Sequence, residues 1–212
     1  MTIENTRHAP KSCLSRRVCD RVRQLLRDCR ATVAIEFGFA LPILCMMTFG
    51  LYEVTQGVIC YMKVVDAANT VCDLVGQQLT ATTGIGTNEF NNYYIAGQLI
   101  MTPSSGANLG LAIASVYYNG SGAGPTVAWQ VERGGGTAMS SPTSYINGLG
   151  TANGSTIIVQ ATYTYTSLLD YFITSPITIT ATVTGQPRNF LPGAGYDQGI
   201  PCPPTNASEN CS

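Results

Sequence analysis

The stretch Glu36-Phe-Gly-Phe-Ala-Leu-Pro-Ile-Leu-Cys-Met-Met-Thr-Phe-Gly-Leu-Tyr-Glu53 decides how this chain is organised. Sixteen consecutive uncharged residues lie between its two glutamates. The wider window from Ala31 to Met62 contains no other charge. A helix that crosses a bilayer needs about 20 mostly apolar residues. This window supplies them when Glu36 sits near an interface. Pro42 falls inside the span, where membrane helices tolerate proline, often with a kink.

The residues before the span give it a direction. Residues 1–30 carry eight cations, Arg7, Lys11, Arg16, Arg17, Arg21, Arg23, Arg27 and Arg30, against Glu4, Asp20 and Asp28, a net +5. The remaining 182 residues carry Lys63, Arg133 and Arg188 against nine acids, a net −6. A basic head alone fits a nucleic-acid arm as well as a cytoplasmic flank. The apolar stretch directly behind it selects the flank, and no nucleic-acid partner is expected. The positive-inside rule then places the N-terminus in the cytoplasm and the C-terminal body outside. A secretory signal peptide is the alternative. It would have a short apolar core ending at a small-residue cleavage site. Here the apolar run passes into a helical pattern without a clear Ala-x-Ala site, so an uncleaved anchor is the expectation.

Composition agrees with an anchor. The chain has 212 residues, enough for one domain and an extension. Charged residues are 11% of it, less than half the usual ~25% of soluble domains. The mean hydropathy is +0.13. His8 is the single histidine, which argues against histidine-centred catalysis and His-rich metal sites. The chain lacks G-x-S-x-G, S-x-x-K, H-E-x-x-H, P-loop and C-x-x-C motifs. Gly134-Gly-Gly136 lacks the strand–helix context of a phosphate site. No enzyme activity and no cofactor are expected.

Beyond the span, Val54, Val58, Tyr61, Val65, Ala68, Cys72, Val75 and Leu79 alternate at spacings of four and three. That is an apolar stripe on a continuing helix, with Glu53, Lys63, Asp66 and Asp73 off it. Gly76 offers a stop. The stripe can pair with another chain or cover the chain's own sheet, and the latter is favoured. Four later segments, Leu111–Tyr118, Thr126–Glu132, Thr156–Thr166 and Ile177–Thr184, read as strands. In the second, Val127, Trp129 and Val131 share a face. In the last, Ile177, Ile179, Ala181 and Val183 oppose four threonines. Such strands predict an antiparallel sheet with one covered face. The first two form a hairpin across 119–125, and at most a short helix lies near Asn91–Met101.

The expected fold class is α+β: a long N-terminal helix, membrane-spanning in its first half and amphipathic in its second, packed on a four-stranded antiparallel sheet. The segments are a basic cytoplasmic leader (1–31), the transmembrane helix (32–59), its amphipathic extension (60–80), an extracytoplasmic β domain (81–188) and an irregular Pro-rich tail (189–212). On this topology Cys13, Cys19 and Cys29 face the cytoplasm and Cys45 lies in the membrane. Cys60, Cys72, Cys202 and Cys211 face the oxidising side. Cys60 and Cys72 lie about 18 Å apart along one helix and cannot bridge. Cys202 and Cys211 close a short loop and are the candidate disulfide.

The segment Arg30-Ala-Thr-Val-Ala-Ile-Glu-Phe-Gly-Phe-Ala-Leu-Pro42, with Gly50-Leu-Tyr-Glu53 and Ala67-Ala68 after it, resembles the start of the TadE/TadG-like family. The resemblance covers roughly residues 30–73. It implies a pilin-like, minor pseudopilin of a bacterial tight-adherence pilus, anchored singly in the inner membrane with its C-terminal domain in the periplasm. It implies inner-membrane lipid, other pilin-like subunits and pilus assembly proteins as partners. It further implies a prepilin-type peptidase cutting between Ala31 and Thr32, which makes the glutamate at 36 the fifth residue of the mature chain. The family's usual glycine before the cut is Ala31 here. Glu36 would then pair with the new amine of a neighbouring chain's Thr32 and set the register of bundled helices; chemistry alone equally allows an interfacial carboxylate that snorkels, its charge favoured by the first turn of the helix. The expected role is structural: assembly or initiation of a pilus. The alternative is a membrane-tethered extracytoplasmic binding or adhesion module outside any filament.

Overall fold

A computed structural model of the chain describes residues 29–77, 87–118, 124–146, 148–149, 154–167, 173–188 and 210–211, together with Asp20 and Arg23. It divides into two compact units, Met1–Tyr52 and Glu53–Ser212. Helix α1, Cys29–Gly76, contributes to both. The described fold is α+β, with a long N-terminal helix and a four-stranded antiparallel sheet on which residues 53–76 of that helix pack.

In the N-terminal unit the helix is made of large apolar residues and none of them is buried. Phe39, Met47 and Leu51 are each about two-thirds exposed or more. Pro42 lies within the helix. It supplies no N–H to the carbonyl of Gly38, four residues earlier. The hydroxyl of Thr48 donates to the Leu44 carbonyl (2.8 Å), keeping its polar group within the helix.

The C-terminal unit is built differently. Helix α2, Thr87–Ile100, is followed by strands β1 (Leu109–Tyr118), β2 (Pro125–Arg133), β3 (Ser155–Tyr165) and β4 (Ile177–Gly185). A two-residue strand β5 (Asn210–Cys211) pairs with Trp129 and Gln130. The order across the sheet is β4-β3-β1-β2-β5, all neighbours antiparallel. The four expected strands thus form within one or two residues of their expected ends, and β1–β2 is the expected hairpin. Helix α2 is longer than expected, at 14 residues, because Thr87–Glu89 form its first turn.

One face of the sheet meets the helices. Leu111 and Ile113 of β1 and Ile157 and Val159 of β3 pack with Val64, Val71 and Val75 of α1 and with Phe90 of α2. Each fully buried aliphatic side chain contributes about 1.5–3 kcal/mol relative to its exposed state. Phe90 meets Trp129 edge to face at 5.5 Å between ring centroids.

The other face is covered too, which corrects the expectation of a single covered face. Ala112, Ala114, Val116 and Ile158 pack with Met139 and Ile146 from the long connection between β2 and β3. That connection includes a 3-10 turn at Pro142–Ile146, and the Tyr118 hydroxyl donates to the Ile146 carbonyl. Strand β1 is therefore buried along nearly its whole length.

Two further departures have clear causes. The β1–β2 register shifts between Ser115 and Val116, whose partners are Trp129 and Val127. Ala128 is the extra residue of this bulge, and a bulge reverses side-chain parity. Trp129 and Val131 accordingly join the helix-facing core while Val127 packs on the opposite face. On α1 the buried positions are Glu53, Cys60, Val64, Ala67, Ala68, Val71, Cys72, Val75 and Gly76. The expected stripe holds at Ala68, Cys72 and Val75, but Val54, Val58 and Tyr61 are more than half exposed. A strict four-three stripe suits a supercoiled helix pair; on a straight helix it drifts by about 20° per heptad. The stripe leaves the sheet-facing side towards its N-terminal end.

Helix α1 stops at Gly76. The backbone N–H of Arg188, just past β4, donates to the Gly76 carbonyl (2.8 Å), giving one of the terminal carbonyls a partner. The Arg188 guanidinium lies 3.5 Å from the Asp73 carboxylate on the surface.

Candidate functional site

The glutamates bounding the opening stretch have opposite surroundings. Glu53 is 1% exposed. It lies on the α1 side that carries Cys60 and Val64, seven and eleven residues further on, so helix geometry alone turns it inward. One carboxylate oxygen accepts from the Ser167 hydroxyl (2.9 Å) and the other from the backbone N–H of Ile173 (3.3 Å). A buried charge requires such donors. Ser167 follows β3 and Ile173 precedes β4, so the carboxylate fastens both ends of that connection to the helix. Its place off the apolar stripe suggested an outward side chain; only its phase with Cys60 and Val64 signals burial.

Glu36 is exposed on the N-terminal unit, as is Thr32, and both lie within α1 along with Ala31. The proposed cut between Ala31 and Thr32 therefore falls in the first turn of the described helix. Thr32 lies one helical turn before Glu36 on the same face of α1. Cys202 and the side chain of Cys211 lie outside the described residues; the backbone of Cys211 belongs to β5.

Cys45, Cys60 and Cys72 are free thiols, the first exposed and the other two buried. Burial pushes the Cys72 thiol up to about 11, and the neighbouring Asp73 carboxylate adds to the rise. A thiol held protonated in this way is a poor nucleophile and a poor metal ligand. Among the described residues no group of three or more His, Cys, Asp or Glu side chains is placed to hold a metal ion.

Beside Glu53, the C-terminal unit has an open cleft of about 280 Å³. Val54, Val58 and Tyr61 of α1 form one wall, and Tyr165, Ile177 and Ile179 of the sheet form another. The wall residues are aliphatic or aromatic and none is charged. Its walls are mainly apolar, with the hydroxyls of Tyr61 and Tyr165 as their side-chain polar groups.

No protein-family model matches the chain, and no curated protein and no solved structure shows significant similarity to it. The chain has one described helix long and apolar enough to cross a membrane, and the most apolar window of that helix has no buried residue.

Proposed function

We propose that this chain is a membrane-anchored, pilin-like minor subunit that takes part in assembling or initiating a bacterial tight-adherence-type pilus, with a structural rather than catalytic role. One observation carries the reading. A single 48-residue helix has no buried residue from 32 to 52, where Glu36 is its one charge, and from residue 53 on forms a core wall of an α+β unit. A bare apolar helix must be covered by lipid or by like helices. The folded unit attached to it needs no such cover to bury its own core. A part that can move from bilayer to helical bundle while its folded head stays intact has this division.

The sequence resemblance over residues 30–73 supports the same reading and supplies the bacterial inner membrane, the periplasmic side and the other pilin-like subunits as its setting. In that setting Glu36 is the register residue. A carboxylate carried from the interface into a bundle of apolar helices must be paired, and the amine of a cleaved neighbour at Thr32 would supply the partner. Co-purification from membranes tests this. The parent chain should bring down other pilin-like subunits, and Glu36→Gln should insert equally well but recover far less of them. Equal recovery by the Gln variant, with equal piliation, would remove the register role. A soluble C-terminal unit that retains a ligand, in a chain that never co-purifies with filament subunits, would point to a tethered binding module instead.

A further inference from the structure

We infer that the cleft walled by Val54, Val58, Tyr61, Tyr165, Ile177 and Ile179 is filled by phospholipid acyl chains of the outer leaflet, so that this side of the C-terminal unit is sunk into the bilayer. The inference rests on the membrane reading above and extends it past Tyr52. Three observations carry it.

The first is charge. Between Glu36 and Lys63 the chain has one charged residue, Glu53. Glu53 is 1% exposed and accepts from Ser167 and Ile173. Hydrocarbon tolerates a polar group only when protein satisfies it. The one charge that would otherwise end the span at residue 53 is thus withdrawn from it.

The second is length. The 26 residues from 37 to 62 rise about 39 Å as a helix, against about 30 Å of hydrocarbon and about 40–45 Å with both headgroup regions. With Glu36 at the inner boundary, hydrocarbon reaches to about residue 56 and the outer headgroup region to about residue 61. Val54 then meets acyl chains, while Val58 and Tyr61 meet the zone where chains and headgroups mix.

The third is the surface itself. Val54, Val58, Tyr61 and Ile177 are each roughly half exposed, at 56%, 52%, 52% and 47%. Side chains of this kind are costly in water and comfortable in lipid. Tyr61 and Tyr165 are the residue type enriched at membrane–water boundaries. The next charge along the helix, Lys63, donates to the Thr102 carbonyl and falls just beyond the headgroup region, where a cation is solvated. Lipid is favoured over a second protein because the α1 wall of the cleft, Val54, Val58 and Tyr61, runs from the outer ends of the acyl chains through the headgroup zone.

The test uses the full chain in phosphatidylcholine vesicles with acyl chains brominated near the headgroup, which quench tryptophan on contact. The native Trp129 is 1% exposed and gives the same background in every variant. Phe49→Trp probes the span, Val58→Trp the cleft, and Ile95→Trp an exposed position on α2. Tyr61→Trp repeats the cleft measurement with a milder change. Bromination should quench the Phe49 and cleft variants at least about twofold more than Ile95→Trp. Quenching of Phe49→Trp with the cleft variants quenched only by aqueous iodide would overturn the lipid seat and leave the membrane reading intact. Cleft variants shielded from both quenchers would overturn it in favour of a protein cover. An unquenched Phe49→Trp would remove the membrane reading itself, and the lipid seat with it.

Discussion

Glu36 and Glu53 lie seventeen residues apart on one helix, and nearly everything around them differs. Glu36 is exposed among exposed apolar residues in a unit with no buried side chain described. Glu53 is enclosed at the start of a unit whose sheet is covered on both faces. The same residue type is therefore tied into the fold at one position and left exposed at the other. The difference shows how one helix divides its work. Its second half is committed to intramolecular packing, and its first half keeps its whole surface for the surroundings.

The sharpest break of this comparison would come from truncating one aromatic ring in each unit. Phe90 is fully buried against Trp129, so Phe90→Ala should destabilise the C-terminal unit by about 3–5 kcal/mol. Phe39 is 76% exposed, and Phe39→Ala should leave the same unit within about 0.5 kcal/mol of the parent. Urea unfolding of the detergent-solubilised chain, followed by Trp129 fluorescence, measures both. Equal effects would mean that the units do not fold as described.

The two glutamates come next in size. Glu53→Leu strands the Ser167 hydroxyl and the Ile173 N–H, and should cost about 3 kcal/mol of C-terminal stability. Glu36→Gln should cost nothing measurable in the same assay, while reducing co-assembly. A stable Glu53→Leu protein would show that its carboxylate is replaceable packing.

Cys72 sharpens the contrast through pH. Its pKa is raised in the fold to about 11, above the ~8.5 of an unfolded thiol. Protonation is then favoured in the folded state. The contribution is complete below the unfolded pKa and is lost as pH rises through the folded one. The parent should lose about 2 kcal/mol more stability than Cys72→Ala between about pH 9 and 11. Identical alkaline profiles for the two proteins would show that the thiol titrates freely. The smallest effect belongs to the surface pair Arg188–Asp73, both partners more than 60% exposed. Arg188→Ala should change stability by less than about 1 kcal/mol, and less again in high salt.

The strands were legible because a half-buried strand shows its period of two. The Ile177–Thr184 alternation of apolar residues with threonine reappears as β4. The end of α1 at Gly76 was legible as well. What escaped depends on contacts far apart in sequence. The Ala128 bulge arises from the pairing of β2 with β1, and nothing local marks it. The second covered face depends on Met139 and Ile146, two apolar residues in the long β2–β3 connection, which has no periodic pattern to mark them as buried. At the site, Glu36 and the bare helix around it follow from hydropathy alone. The burial of Glu53 required knowing that the chain returns with Ser167 and Ile173. A heptad-like stripe also draws attention to Val54, Val58 and Tyr61, which line the cleft instead of the core.

The most direct measurement is topology in living cells. A reporter active only outside the cytoplasm is fused to the full chain after Ser212 and, separately, at Arg16. A single span between a +5 head and a −6 remainder predicts activity after Ser212 and none at Arg16. Activity at Arg16, or none after Ser212 in a chain that accumulates normally, would contradict the anchored arrangement and the pilin-like reading built on it.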